Sequence, residues 1–193
     1  MIKLAKIISI IGHPLLTIPV FIIIVMFKFN SFSKAISISS IIIGCVFLPL
    51  ILWMYIKSKN GTYTNFDVSD KTQRRSLFVF AIPLLLIVTT ILFATHQSIN
   101  LCISVLFALI LTIISQIVNI YIKSSLHISL NIYLAALIFT VDYKVSIIVF
   151  LFTGLLCWSR VKLKRHTIKE VVFGLIIGLF ISLIMLKFEG FIN

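Results

Sequence analysis

Long apolar runs, separated by short polar segments, are the feature that most constrains the fold of this chain. A membrane-spanning helix needs about 20 apolar residues, with roughly 17–25 observed. Runs that reach or approach this length lie at 7–27, 35–57, 77–95, 101–122, 128–142, 144–160 and 170–187. They lack the alternation of a lipid-facing barrel strand and therefore predict α-helices. We expect an all-α, polytopic membrane helical bundle with six to seven spans, in which the short fifth and sixth runs form two crossings or a re-entrant pair.

The composition excludes several classes of protein. Of the 193 residues, 61% are hydrophobic and 11% are charged, which is more apolar surface than a soluble domain of this size can bury. Cys45, Cys102 and Cys157 all lie in apolar runs and suggest neither disulfides nor a metal site. The net charge of +12 comes from cations at the ends of apolar segments. We therefore expect membrane lipids and anionic headgroups as partners, and no nucleic acid.

Polar residues are predicted to gather on one face of the membrane. If the N-terminus lies on side A, the loops after the second, fourth and sixth spans return to side A. Of the 17 Lys and Arg residues, 13 then fall on side A. The positive-inside rule explains this bias if side A is cytoplasmic. It does not explain why His13, His127 and His166 also lie near side A.

The loop "SRVKLKRHTIKE", residues 159–170, has the spacing of a reactive histidine. His166 and Glu170 are four residues apart and share one face if the last helix begins near Lys164. A carboxylate beside an imidazole fixes its tautomer, and such a histidine can act as a nucleophile toward phosphorus. Arg160 supplies a planar fork suited to phosphate oxygens. A solvated His–Glu pair on a helix gives the same spacing.

The other two polar loops of side A contribute further phosphate ligands. In "YIKSSLHISL", Ser124 and Ser125 precede His127, which begins a helix whose N–H groups favour an anion. A cap at the membrane interface gives the same pattern. In "NFDVSDKTQRRSLF", Lys71 and Arg74 are three residues apart and can reach one anion.

The three loops together suggest metal-free hydrolysis of a phosphomonoester. Two histidines, a carboxylate, a serine and several cations would hold the dianion and offset charge on its equatorial oxygens. Side A offers only Asp67, Asp70 and Glu170 as acids, so we expect no metal cofactor. A transporter or channel would need ionisable residues deep in the spans, and the sequence has almost none there.

The same residues resemble the type 2 phosphatidic acid phosphatase superfamily, whose site is shared with the vanadium haloperoxidases. Its motifs are KxxxxxxRP, PSGH and SRxxxxxHxxxD. The third matches Ser159–Glu170, with Glu170 where Asp is usual, and the Gly-spaced "VVFGLIIG" follows it. The second is reduced to "SSLH" at 124–127, and "DVSDKTQRRS" is similar to a variant, DxxDRxxRP, of the first. The resemblance covers about residues 60–180.

The resemblance implies a role for each matched residue. His166 corresponds to the nucleophile, Glu170 to its orienting carboxylate and His127 to the acid that protonates the leaving group. The residues that correspond to the phosphate cradle are Lys71, Arg74, Ser125 and Arg160. Leu126 replaces the glycine of the second motif and narrows the approach to phosphate.

These observations lead to one expected function and one alternative from another class. The expected function is an integral membrane phosphatase, with no cofactor, acting on a lipid phosphate or diphosphate through a phosphohistidine. The alternative is a non-catalytic membrane subunit or a headgroup-binding protein that retains the fold. We expect one integral membrane domain over 1–193, with two N-terminal spans in 1–57 and a phosphatase-like core in 58–187.

The resemblance also implies a location in the cell. It suggests a bacterial inner membrane, with the site on the face away from the cytoplasm, whereas the cation count puts side A inside. A membrane complex and a homo-oligomer both remain open.

Overall fold

The structure, a computed structural model, describes residues 1–68 and 70–192. All regular elements in those residues are helices. In chain order they are α1 (Ile2–Ile11), α2 (Pro14–Phe29), α3 (Phe32–Ile42), α4 (Leu48–Lys59), α5 (Lys71–Ala94), α6 (Ile99–Tyr121), α7 (Leu126–Phe139), α8 (Tyr143–Lys162) and α9 (Ile168–Phe188). A π-helical segment, Ile43–Phe47, joins α3 to α4 without a break.

Every apolar run of the sequence forms a helix or a pair of helices, so the expectation of a helical membrane bundle is confirmed. Among the described residues, five helical segments are long and apolar enough to cross a membrane, or six if the bent pair α1–α2 is counted as one span. The fifth run forms α7, whose 14 residues extend about 21 Å. A hydrocarbon core is roughly 30 Å thick, so α7 does not cross it alone.

The first span is bent by 41° between α1 and α2. Pro14 is the first residue of α2, where its missing N–H costs nothing. His13 caps this helix, because its Nδ1 accepts a hydrogen bond from the Leu15 N–H at 3.2 Å. Asn131 of α7 donates to the Gly12 carbonyl oxygen at 2.9 Å. The break therefore fixes His13 inside the bundle, next to the start of α7.

The apolar core is divided into separate clusters. One cluster joins α2 through α5 and the start of α6, and another joins α6, α7 and α9. A third holds α1 against α7, α8 and α9. A cavity of about 500 Å³ lies between the first two clusters, along α2 and α7.

Two glycines of α9 set its close approach to α7. A Cβ at Gly174 would lie 2.6 Å from the Ser125 carbonyl oxygen, and one at Gly178 would lie 2.9 Å from the Ser129 carbonyl oxygen. Small residues four apart let membrane helices pack backbone to backbone. The Ser125 N–H donates to the Glu170 carbonyl oxygen at 3.0 Å, which ties the start of α7 to the first turn of α9.

We expect Gly174→Ala to destabilise the protein by about 1–3 kcal/mol, because the Ser125 backbone must move to admit the methyl group. The measurement is the free energy of unfolding in detergent. Gly154→Ala is the matched control, since no atom outside its own helix segment lies within 4 Å of a Cβ built there. We expect the control to stay within about 1 kcal/mol of wild type. Equal losses in both variants would contradict the close packing.

Candidate functional site

The chain reverses sharply after α8, and this turn positions His166. Lys164 has φ of 55°, in the left-handed region. The Lys164 N–H donates to the Val161 carbonyl oxygen and the Arg165 N–H to the Arg160 carbonyl oxygen, which is the pattern of a Schellman motif. The His166 N–H also reaches the Arg160 carbonyl oxygen, at 3.3 Å. The turn therefore holds the backbone of His166 next to Arg160 at the end of α8.

The side chain of His166 is oriented by Glu170. Its Nδ1 lies 2.8 Å from Glu170 Oε2. The helix α9 begins at Ile168 and not near Lys164 as expected from the sequence, so His166 reaches Glu170 from the residue before the helix cap. Thr167 and Glu170 form a capping box, in which the Thr167 Oγ1 accepts from the Glu170 N–H and Glu170 Oε2 accepts from the Thr167 N–H. The cap holds the carboxylate against the ring. Lys123 Nζ approaches the same oxygen at 3.6 Å.

Burial and nearby cations lower the pKa of the His166 ring, which favours its neutral form. The residue is 7% exposed. Desolvation lowers the pKa of His166, and the charges of Arg74, Arg160 and Lys123 lower it further. A neutral ring whose Nδ1–H donates to Glu170 has a lone pair on Nε2, which is the form that attacks an electrophile.

The start of α7 provides a second group of polar atoms. Ser125 is the residue before the helix, and His127 lies in its first turn. Arg74 of α5 is buried and donates from Nη1 to the Ser124 carbonyl oxygen at 2.6 Å. Its guanidinium also lies 5.7 Å from the centre of the Phe78 ring. A buried cation thus faces the positive end of a helix dipole, an arrangement that favours an anion.

Asp67 links the third polar loop to the other two. Its Oδ2 accepts from Arg160 Nη1 at 2.7 Å, and Arg160 Nη1 also reaches Ser9 Oγ at 2.9 Å. The Asp67 Oδ1 lies 3.6 Å from His13 Nε2 and 3.8 Å from His127 Nε2. The two imidazole rings meet edge to face, with centroids 4.6 Å apart. One carboxylate is therefore surrounded by a guanidinium and two histidines.

Several buried polar atoms around Asp67 and the start of α7 have no hydrogen-bond partner among the described residues. They are His13 Nε2, His127 Nε2, Ser124 Oγ, Ser125 Oγ and Arg160 Nε. Buried polar groups are normally paired, so a group of unpaired ones needs an explanation. Hydroxyl, imidazole and guanidinium N–H or O–H groups are all able to donate to one oxyanion. This arrangement fits a bound phosphate.

His13, Asp67 and His127 also have the spacing of metal ligands, since their ligand atoms lie within 4.8 Å of one another. The hydrogen bond from the Leu15 N–H occupies the lone pair of His13 Nδ1. In the neutral ring the proton is then on Nε2, which leaves no lone pair facing the cluster. Arg160 already holds the Asp67 carboxylate. These contacts favour an anion at this position over a cation.

The structure brings most of the residues predicted from the sequence to one end of the bundle. His127, His166 and Arg74 line the same end of the cavity, and Arg160, Ser125 and Glu170 are bonded to that group. Lys71 is the exception, because its Nζ donates to the carbonyl oxygens of Ile120 and Tyr121 at the end of α6. Its assignment to the phosphate cradle is not supported by this position.

Two residues of the site were not assigned a role from the sequence. From the sequence, His13 was noted only as one of the histidines near side A, and Asp67 only as one of the acids on that side. The sequence signal for His13 was an ionisable side chain inside an apolar run, where hydrogen-bond partners are scarce. Its partner lies 54 positions away in sequence, on a different loop.

Comparison of the chain with models of protein families, with curated proteins and with solved structures gave no match. The function is therefore inferred from the geometry of the site.

We expect Asp67→Asn to bind inorganic phosphate roughly tenfold more tightly or better, because the carboxylate that competes for Arg160 loses its charge. The measurement is the phosphate-dependent rise in unfolding temperature in detergent. Asp142→Asn is the matched control, since Asp142 caps α8 and Asn caps as well. Weaker phosphate binding by Asp67→Asn alone would show that the carboxylate helps to hold the ligand.

We expect the protein to lose stability as the pH falls below about 6.5, the pKa of histidine in an unfolded chain. Because the pKa of His166 is lowered in the fold, the unfolded state binds more protons there, and stability falls with pH by about 1.4 kcal/mol per unit for this group. His166→Asn should make the slope of unfolding free energy against pH shallower. His96→Asn, at an exposed position with φ of 50°, is the control. An unchanged slope in His166→Asn would show that the pKa of His166 is not lowered in the folded protein.

Proposed function

We propose that this chain is an integral membrane phosphatase that hydrolyses a lipid phosphate or diphosphate through a phosphohistidine, without a metal ion. The observation that carries the proposal is the 2.8 Å contact between His166 Nδ1 and Glu170 Oε2, beside buried cations and unpaired donors. It supports a neutral, oriented imidazole next to a position suited to an oxyanion. The motif resemblance of residues 159–170 supports the same role.

In the first chemical step, the Nε2 lone pair of His166 attacks phosphorus. A P–N bond forms as the P–O bond to the lipid breaks, and the bonding electrons leave with the oxygen. His127, protonated when the phosphate dianion is bound, gives its proton to this oxygen. The product is a lipid alcohol, or a lipid monophosphate if the substrate is a diphosphate.

In the second step, water attacks the phosphohistidine. His127 takes a proton from the water as the new P–O bond forms, and the electrons of the P–N bond return to His166 Nε2. Inorganic phosphate leaves, and both histidines regain their starting states. Glu170 stabilises the positive charge that His166 carries while it is phosphorylated.

Arg74 and Arg160 supply charge for the phosphoryl oxygens. Both guanidiniums are buried, where an interaction with an oxyanion is stronger than in water. Arg160 can offer its unpaired Nε to phosphate while Nη1 holds Asp67, and Arg74 can add a phosphate contact to its bond with the Ser124 carbonyl oxygen. The Ser125 hydroxyl is an additional donor.

A non-catalytic protein that binds phosphorylated headgroups is the second candidate. Two contacts favour it: Asp67 already neutralises Arg160, and Lys71 is bonded to the end of α6. Such a protein would bind the same headgroup without forming or hydrolysing a P–N bond.

We expect the purified protein to release inorganic phosphate from a panel of lipid phosphates in detergent with EDTA. His166→Ala should abolish release, and Glu170→Gln should reduce it by about 10²–10⁴-fold, because the ring loses its charged partner. His96→Ala, at the opposite end of the bundle, is the control for loss of a histidine.

Each other outcome identifies a different alternative. Equal release by wild type and His166→Ala would remove the catalytic role of this residue. Binding of the lipid phosphate without release would favour the headgroup-binding protein. Loss of activity in EDTA, restored by a divalent cation, would assign His13, Asp67 and His127 to a metal.

A further inference from the structure

The cavity that begins at the candidate site continues deep into the apolar part of the bundle. Its volume is about 500 Å³, and it is lined along α7 from His127 to Thr140. Thirteen residues of helix correspond to about 20 Å, which is two-thirds of a hydrocarbon core of roughly 30 Å. The cavity is therefore long as well as large, and it runs along the bundle.

Among the described residues, the charged side chains and imidazoles that line this cavity lie at its two ends. His13, Asp67, Arg74, His127 and His166 lie at the end that faces the site, and the wall below them is formed mainly by aliphatic and aromatic side chains. At the far end, Glu189 accepts a hydrogen bond from the Ser104 hydroxyl at 2.8 Å. This order, a cationic head followed by an apolar channel and a polar floor, matches an anionic amphiphile.

A π-helical segment and small side chains in the cavity walls leave space that could hold a hydrocarbon chain. The π-helical segment Ile43–Phe47 presents Val46 and Phe47 to the cavity, and small residues, Ala81 and Ala108, face it from α5 and α6. Single π-helical turns inside helices occur frequently at functional sites. An apolar space of this size left unfilled would cost stability, because its walls lack partner atoms.

We propose that this cavity, between α2 and α7, binds one hydrocarbon chain of the phosphorylated lipid while its phosphate occupies the candidate site. The identity of the head group rests on the proposed function, whereas the chain-binding cavity does not. Such a cavity would select lipids that can place a tail inside the bundle. Any second tail stays in the surrounding bilayer.

The experiment compares methylphosphonate with hexadecylphosphonate as ligands, since a P–C bond is not cleaved by a phosphatase. Binding is measured as ligand-dependent unfolding temperature in detergent for wild type, Leu85→Trp and Leu86→Trp. Leu85 lines the cavity, while its neighbour Leu86 is 54% exposed on the lipid-facing surface of α5. Partition of the long chain into micelles is the same for both variants and cancels in the comparison.

We expect Leu85→Trp to weaken hexadecylphosphonate binding by roughly tenfold or more, because the indole fills the channel. Leu86→Trp should bind it like wild type, and methylphosphonate should bind equally to all three proteins. Equal binding of hexadecylphosphonate by both variants would overturn the proposal.

The chain-binding site and the phosphatase can fail separately. A protein that discriminates Leu85→Trp from Leu86→Trp but releases no phosphate has the cavity site without the enzyme. A protein that releases phosphate but binds the long chain equally in both variants is a phosphatase whose lipid tail lies elsewhere.

Discussion

The pairing of one buried arginine is the constraint on which the rest of this structure depends. Arg160 is 0% exposed at the end of α8, and an unpaired charge there would cost several kcal/mol. Asp67 and Ser9 supply its partners at 2.7 and 2.9 Å. Ser9 lies 151 residues from Arg160 in sequence, so the pairing requires α1 to pack on α8. The first span is therefore part of the site, and it places His13 there.

The charges at this end of the bundle are arranged for an anion. Each carboxylate is already held, Asp67 by Arg160 and Glu170 by His166 and Lys123. The remaining donors have no hydrogen-bond partner among the described residues, and two of them, His13 Nε2 and His127 Nε2, lie 3.6 and 3.8 Å from Asp67 Oδ1. A phosphate dianion would satisfy several of them together, whereas a cation would face two guanidiniums. Nearby positive charges disfavour protonation of an imidazole, so a neutral His166 is consistent with the cations around it.

The sequence predicted the positions of the helices because apolar length is a local property. Counting the crossings also predicted that the loops at 122–125 and 163–167 lie on the same face of the membrane. The sequence did not predict that Lys71 would turn to the carbonyl groups at the end of α6, since any nearby helix end competes for a lysine. Nor did it predict the pairing of His13 with Asp67, because spacing carries no information about contacts between distant segments. The capping box gives Glu170 a second role, since its Oε2 contacts both the Thr167 N–H and His166 Nδ1.

The short length of α7 bears on how deep the candidate site lies in the membrane. Because α7 is about 9 Å shorter than the hydrocarbon core, at least one of its ends lies inside the apolar layer. If that end is the first turn, the proposed phosphate site lies below the membrane surface. A lipid head drawn to that depth loses water, and the buried arginines must offset this loss. A tail that leaves lipid for an equally apolar channel gains little from the hydrophobic effect, and its gain is contact with walls that otherwise lack partner atoms. If the cavity binds a lipid tail as proposed, selection among lipids would depend on the charge of the head and the size of the tail, since hydrophobicity is the same inside the cavity and in the bilayer.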